Sequence, residues 1–430
     1  MEHVVIIGNG IAGVTLARNL RKLSDKKITI ISSESEYFFS RTALMYVFMG
    51  HMKFEHTVPY KTDFWKKNNI NLLQKHVSKI NNDVNNVEFD DKSTLNYDKL
   101  VLATGSKPNK YGWKNQDAKG VLGLYHKQDL ENLENLAKNC SHAVVVGGGL
   151  IGIELAEMLV SRKINVTFLV REKSFWSTIL PTEESNLITK HILEHNVNLR
   201  LDTSLDQILI DENGNATAIK TDKGEIINCS IVGLTAGVLP NIDFVKNTEI
   251  ATNKGIKVNR YLQTSVQNIY AIGDCAEQEQ PNFNRKPIEA VWYTGKMMGE
   301  TLAQTLAGKP MEYNPGNWFN SAKFFDIEYQ TYGWVFAKPL ENEAQFYWQH
   351  PSKKLAVRIS FDKNNREFLG INTFGIRMRH EFFDEVLTAN KSVDYVIENL
   401  SKANFDPEFY KHYTTEIQKE FSVKNDLQIS

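Results

Sequence analysis

At 430 residues the chain exceeds the roughly 250–300 at which a single hydrophobic core stops growing, so two or three domains are expected. Its 50 Lys and Arg balance 51 Asp and Glu, and the net charge of −1 excludes an overall basic field that would draw the protein to nucleic acid or to anionic lipid. Met1-Glu2-His3 runs straight into an apolar segment without a basic leader, and no stretch reaches the ~18–20 apolar residues that span a bilayer, so a cytoplasmic location with no membrane span is expected.

In chain order, the β-branched run Val4-Val5-Ile6-Ile7 reads as a buried strand and passes into Gly8-Asn9-Gly10-Ile11-Ala12-Gly13. The spacing predicts an amphipathic helix over Val14 to Leu23, followed by a second parallel strand over Lys27–Ile31. Glycines between a strand and a helix let backbone approach a pyrophosphate that faces the helix N-terminal dipole. Gly8, Gly10, Ile11, Ala12 and Gly13 are therefore candidate dinucleotide contacts. An acid is expected at the end of the second strand to bind a ribose hydroxyl pair. Glu34 is the candidate, 26 residues after Gly8 where about 20 is usual, with Glu36 as the fallback.

The arrangement repeats 139 residues later. Val144-Val145-Val146 precedes Gly147-Gly148-Gly149-Leu150-Ile151-Gly152, then a predicted helix over Ile153–Ser161 and a strand over Asn165–Val170. Gly147, Gly149 and Gly152 are the second set of candidate contacts, and two complete copies point to electron transfer between cofactors. The second strand ends at Arg171-Glu172. A guanidinium there pairs with a 2′-phosphate, a carboxylate favours a free 2′-hydroxyl, and a solvated turn is the plain alternative, so the choice between NADH and NADPH stays open.

Cys140, Cys229 and Cys275 form no C-x-x-C pair, which argues against dithiol chemistry and against a clustered metal centre; no metal is expected. Turn-rich segments at Gly105–Asn109, Gly237–Asn241 and Gly308–Pro310 mark candidate boundaries. Asn268–Gly273 reads as a further buried strand closing on Gly273-Asp274. From Trp318 onward, short alternating runs (Leu355–Ile359, Phe368–Ile371) and then a helical tail predict an α+β domain.

These motifs resemble the FAD-dependent pyridine nucleotide-disulfide oxidoreductases, in the branch of ferredoxin, rubredoxin and nitrite reductase flavoproteins that lack the redox disulfide. Leu102-Ala103-Thr104-Gly105-Ser106-Lys107-Pro108 is similar to the family's ATGxxP crossover, Gly237-Val238-Leu239-Pro240-Asn241 to its GxxPN segment, and Ile272-Gly273-Asp274-Cys275-Ala276 to its second FAD fingerprint. The resemblance implies an α/β fold with two Rossmann-like domains, for FAD and NAD(P)H, and a C-terminal α+β domain. It places the FAD domain in 1–112 and 242–314, the NAD(P)H domain in 113–241, and an interface domain, through which a homodimer forms, in 315–430. It implies that Thr104, Gly105, Gly237, Gly273 and Asp274 contact cofactor, and that a helix over Ile288–Trp292, including Val291 and Trp292, packs beside the flavin.

Two departures from the family pattern stand out. Glu154 matches an acid near the flavin that in many members pairs with a lysine, but the segment Ser40-Arg41-Thr42-Ala43-Leu44-Met45-Tyr46 places Tyr46 at that lysine position. Arg41 either supports Glu154 or neutralises FAD phosphates. Asn320–Gly333 keeps the spacing of Gln330 and Gly333 but lacks the Trp-Ser-Asp run of the one-electron reductases. Arg377-Met378-Arg379-His380, His51 and His56 are candidates for binding an acidic partner or a substrate. The expected function is an oxidoreductase carrying electrons from NADH or NADPH through FAD to a small iron–sulfur protein or an associated reductase. A redox-sensing flavoprotein and a soluble quinone or oxygen reductase are the alternatives.

Overall fold

The computed structural model describes residues 1–282, 284–405 and 411–429. It divides into two compact units: Met1–Gly112 with Gly120–Asn139 and Leu234–Pro315, and Trp113–Lys119 with Cys140–Gly233 and Gly316–Ser430. Of the helical tail expected over Asp394 to Phe421, residues 406–410 lie outside the described residues.

The N-terminal apolar run forms β1 (His3–Ile7) and the glycine loop leads into α1 (Ile11–Leu23). This helix starts three residues before Val14, because extended Gly10 already serves as its N-cap. Strands β2 (Lys27–Ser32), β3 (Ile70–Gln74) and β4 (Lys99–Leu102) follow in the first unit. The chain then builds β5 (His142–Val146), α2 (Leu150–Ser161), β6 (Asn165–Leu169), α3 (Thr182–Glu194), β7 (Asn198–Arg200) and β8 (Ile231–Leu234). It returns to the first unit with β9 (Ile269–Ala271) and α4 (Trp292–Leu306). The C-terminal part holds β10 (Phe319–Phe324), β11 (Ile327–Gly333), β12 (Glu343–Gln349), β13 (Ala356–Asp362), β14 (Phe368–Phe374), α5 (His380–Thr388) and α6 (Val393–Glu398).

In the first unit the sheet order is β9-β4-β1-β2-β3 and every pairing is parallel. All five residues of β1 are buried, as expected of a parallel sheet covered on both faces. The strand order reverses at β1, with β2 on one side and β4 on the other, and ligands of such sheets bind at the carboxyl ends beside that reversal. Helix α4 braces α1 from behind: a Cβ on Gly299 would stand 2.6 Å from the Ala12 carbonyl oxygen and 3.0 Å from the Leu16 nitrogen. Hydrogen alone fits there, so the two helix backbones nearly touch.

One expected helix is corrected. Ile288–Val291 is not helical, and α4 begins only at Trp292 with extended Val291 as its N-cap. The cause is local. Glu289 turns its carboxylate to Arg285 at 2.7 Å and accepts from the Thr294 hydroxyl in the first turn of α4, which holds the chain extended up to the cap.

The second unit contains a β7-β6-β5-β8 arrangement, parallel along β7-β6-β5, and a five-stranded antiparallel sheet in the order β10-β11-β14-β13-β12. Helices α5 and α6 cover one face of that sheet through Phe383, Val386, Val393 and Val396, packed on Val357, Ile359, Phe368 and Ile371. A buried polar junction joins α3 to the sheet. Arg358 of β13 donates from Nε to Glu184 at 3.2 Å and from a terminal nitrogen to Glu183 at 2.6 Å, while Asn372 of β14 donates to Glu184 at 3.0 Å.

Candidate nucleotide sites

The first glycine loop sits at the carboxyl end of β1. Gly8 holds φ +117, and a Cβ there would meet the Ala103 carbonyl oxygen at 2.0 Å; a Cβ on Gly13 would meet the Gly8 carbonyl oxygen at 2.1 Å. These two glycines are fixed by protein packing. Gly10 differs, because a Cβ there would meet nothing within 4 Å. The N-terminus of α1 has no side-chain cap and no acid in its first turn, so its N–H groups and dipole face open space beside Gly10. Ile11 and Ala12 supply that first turn. A pyrophosphate fits this cradle, and its negative charge is what an uncapped helix start accommodates.

Around the same strand ends runs a chain of polar contacts. Arg41 donates to both oxygens of Glu34, at 2.9 and 2.6 Å, and to the Tyr125 carbonyl oxygen, while its guanidinium lies 4.5 Å from the Tyr125 ring centre. Glu34 also accepts from the Lys127 backbone at 2.8 Å. Asp274, following β9, accepts from Ser106 Oγ at 3.1 Å and from the Tyr125 hydroxyl at 3.4 Å. Arg41 is thus engaged by Glu34 within its own unit. Burial pushes the Asp274 carboxyl upward. Tyr125 and Lys127 carry no motif and sequence reasoning missed both, while Ser106 lies in the crossover motif without having been singled out as a contact.

Burial also works to raise the Glu34 carboxyl, but hydrogen bonds from His126 and Arg41, with the Arg41 charge, hold it down at about 2. A carboxyl depressed on folding stabilises above its unfolded pKa and loses that contribution as pH falls from about 4.5 toward 2. Glu34→Gln is therefore expected to lower stability by about 3 kcal/mol at pH 7, with the difference shrinking below pH 4. Melting temperatures of both proteins from pH 7 to pH 3 check this. A constant difference across that range would contradict it.

The two crossover motifs meet directly. Ser106–Pro108 pairs antiparallel with Val238–Pro240, the Thr104 hydroxyl donates to the Asn241 carbonyl oxygen at 2.8 Å, and the Gly105 and Gly237 carbonyls accept from Asn241 and Asn109. This ribbon holds Thr104, Gly105 and Gly237 beside the Asp274 end of the sheet.

The second loop repeats the first at the end of β5. Gly147 holds φ +120, Gly149 caps α2 without a side-chain bond, and a Cβ on Gly149 would meet nothing within 4 Å. Gly152 is buried on α2. After β6, Arg171 is 75% exposed and donates to Glu172 at 2.9 Å, so the two candidates of opposite charge engage each other. Glu154 lies on α2, where burial, with the neighbouring Glu157, pushes its carboxyl up to about 7. Tyr46 belongs to the short helix Leu44–Phe48 of the first unit, its ring centre 6.1 Å from that of His51.

All three cysteines are free thiols. Cys275 is buried and bonded to the Leu102 and Ile272 carbonyls at 3.3 Å, and burial raises its thiol; burial raises Cys229 to about 12. Such groups stay protonated and poorly nucleophilic. Gln330 accepts from the Met378 backbone at 2.8 Å, and a Cβ on Gly333 would meet the Leu369 carbonyl oxygen at 2.2 Å, so their spacing serves the C-terminal sheet. Arg377 pairs with Glu328, and His56 accepts from the Lys53 backbone at 3.3 Å.

Two strand-loop-helix units with bare helix starts define a protein that holds two dinucleotides. Residues 2–299 match the family described as pyridine nucleotide-disulphide oxidoreductase, and the chain belongs to it. It is an oxidoreductase whose cofactors are FAD and NAD(P)H. It is 30% identical over 319 residues to the assimilatory nitrate reductase electron transfer subunit of Bacillus subtilis, covering 74% of this chain and 40% of that protein. It is 32% identical over 278 residues to the NADH-rubredoxin oxidoreductase of Clostridium acetobutylicum, covering 64% and 68%. The fold matches the crystal structure of a ferredoxin reductase from Rhodopseudomonas palustris with a TM-score of 0.83 at 21% identity, covering 95% and 98%. The chain therefore spans about two fifths of the first relative and two thirds of the second. Among the described residues no helix is long and apolar enough to cross a membrane.

Proposed function

We propose that the protein takes reducing equivalents from NADH or NADPH and passes them through FAD to a small iron–sulfur protein or an associated reductase. The observation that carries this reading is the pair of uncapped helix starts beside Gly10 and Gly149, one in each unit. In it, residues 1–112 and 242–314 hold FAD and 113–241 hold the nicotinamide nucleotide. The Gly8–Gly13 loop with α1 binds the FAD pyrophosphate, Glu34 accepts from a ribose hydroxyl, and Asp274, with Thr104, Gly105, Gly237 and Gly273 around it, orients the rest of the cofactor. Val291 and Trp292, at the start of α4, border the flavin. Gly147, Gly149 and Gly152 with α2 bind the nicotinamide nucleotide, and Glu154 and Tyr46 act beside the flavin. FAD, when bound, would supply the hydride-accepting group, and these residues would serve to position it more than to give acid–base help. The names of the relatives, an electron transfer subunit and a rubredoxin oxidoreductase, support a protein acceptor. Three free thiols fit the reducing cytoplasm. A homodimer through 315–430 belongs to the same reading, and light scattering measures it.

The test is anaerobic reduction with each nicotinamide followed by rapid mixing with rubredoxin, ferredoxin, a quinone and dioxygen. Fast flavin bleaching and fastest reoxidation by an iron–sulfur protein are expected. Slow reoxidation by every acceptor would replace the enzyme with a redox sensor. Arg171→Ala is expected to weaken NADPH by roughly 10- to 100-fold, the worth of a charge-assisted contact of about 1.5–3 kcal/mol, and to leave NADH within about twofold. Equal loss of both, measured by nucleotide titration, returns Arg171 to the solvated surface.

A further inference from the structure

The far end of α3 carries an arrangement that nucleotide binding does not use. His191 and His195 stand four residues apart on and just after α3, and so share one helix face. Asp326 projects toward them from the tight turn between β10 and β11, where Phe325 holds φ +54. His191 Nε2 lies 2.7 Å and His195 Nε2 3.3 Å from the same oxygen of Asp326, and one ligand atom from each residue falls within 4.8 Å of the others.

Two features separate this group from an ordinary surface ion pair. The His191 side chain is fully buried, and its Nε2 makes no hydrogen bond among the described residues despite standing against the Asp326 oxygen. The contact is close, but it does not lie along the line an N–H would take. Meanwhile His195 Nδ1 lies 2.9 Å from the His191 carbonyl oxygen, and its ring stacks on Phe325 at 4.2 Å. A backbone carbonyl accepts only from N–H, which puts the proton of neutral His195 on Nδ1 and leaves the Nε2 lone pair facing a carboxylate. His195 thus offers a lone pair beside the Asp326 carboxylate, and His191 Nε2 offers a second once its proton moves to Nδ1, which now accepts from Lys354; a cation then satisfies all three groups. The outer-sphere bond at His195 Nδ1 is also the device that orients metal-bound histidines.

We propose that His191, His195 and Asp326 form a binding site for a late first-row divalent cation, Zn2+ by preference. Imidazole nitrogens select such ions over Mg2+ and Ca2+, and tetrahedral ligand bonds of about 2.0–2.2 Å set donor atoms about 3.3–3.6 Å apart, so His191 Nε2 and the Asp326 oxygen, now at 2.7 Å, open slightly while His195 Nε2 at 3.3 Å stays in place. Three protein ligands leave a further position for water, reached from the side of Asp326, which is 74% exposed. The nearby cation is Lys354, whose Nζ lies 2.8 Å from His191 Nδ1 and which also pairs with Glu194. When His191 binds metal through Nε2 its Nδ1 carries the proton, so Lys354 withdraws to Glu194. Lys354 is therefore a competitor. The site would clamp α3 to the β10–β11 turn within the second unit.

The test uses tag-free, flavin-loaded protein stripped with a chelator and titrated with Co2+ and then Zn2+ alone. One Co2+ per chain with visible d–d absorbance, its displacement by Zn2+, and a rise in melting temperature with Zn2+ are expected. Asp326→Asn, at an exposed position, and His195→Gln, at a half-buried one, are each expected to weaken Co2+ by at least roughly tenfold, and Lys354→Met to tighten it. Wild-type protein that binds no Co2+ at millimolar concentration, or variants that bind it as wild type does, would overturn the assignment.

Discussion

Gly10→Val protein is expected to fold, to stay free of aggregate, and to purify without yellow colour. The expectation rests on how differently the three glycines of the first loop are constrained. Side chains at Gly8 or Gly13 would collide with backbone carbonyl oxygens at about 2 Å, so variants there disturb the sheet and helix themselves. Gly10 has extended backbone that any residue adopts, and a Cβ meets no protein atom within 4 Å. Valine therefore leaves β1 and α1 in place and fills only the space beside the bare helix N-terminus. That space is where the pyrophosphate of FAD is proposed to sit, and backbone must come within hydrogen-bond distance of it. Flavin content is expected to fall below a tenth of wild type, with circular dichroism unchanged and reconstitution by added FAD failing. Gly8→Val serves as the contrast, because it is expected to lose fold and flavin together. Gly10→Val protein that retains stoichiometric flavin would move the FAD pyrophosphate away from this loop.

The parts of this molecule legible in its sequence are those where short-range pattern and physical constraint coincide. Val4–Ile7 and Val144–Val146 announce buried parallel strands because both sheet faces are covered, and the glycine loops after them need residues without a Cβ. Ser106–Pro108 and Val238–Pro240 could be noticed as motifs, but their antiparallel pairing joins segments about 130 residues apart and leaves no periodic signal. Tyr125 is a further case. It bridges Arg41 and Asp274 from a segment without any motif, so only the folded chain brings it into view. The helix expected at Ile288 fails for a related reason, since Glu289 is drawn off by Arg285, a contact that propensity does not contain. The four-residue spacing of His191 and His195 was present in the sequence, but Asp326 stands 131 residues further on and gives it chemical meaning only after folding.

Glu154→Gln is expected to make the protein more stable and less active, and the combination decides what this carboxyl is for. Burial and Glu157 raise it to about 7, well above the 4.5 of an unperturbed glutamate. The folded state therefore binds its proton more tightly than the unfolded state does, and stability falls as pH rises from about 4.5 to 7. Above pH 7 the carboxylate is held against its own desolvation, at a cost of up to about 3 kcal/mol that glutamine does not incur. Melting temperatures should consequently rise for the variant at pH 8 and converge with wild type near pH 4. If Glu154 acts beside the flavin, the wild-type rate of flavin reduction by NAD(P)H changes near pH 7, and the variant is slower by roughly tenfold or more and flat with pH. Glu184 supplies the control, since burial raises its carboxyl to about 7 as well while Arg358 and Asn372 hold it in the junction of α3 with the C-terminal sheet. Glu184→Gln leaves Arg358 paired with Glu183 and is expected to leave the pH profile of reduction unaltered. A Glu154→Gln protein that gains stability and keeps the wild-type rate at every pH would make Glu154 another structural acid.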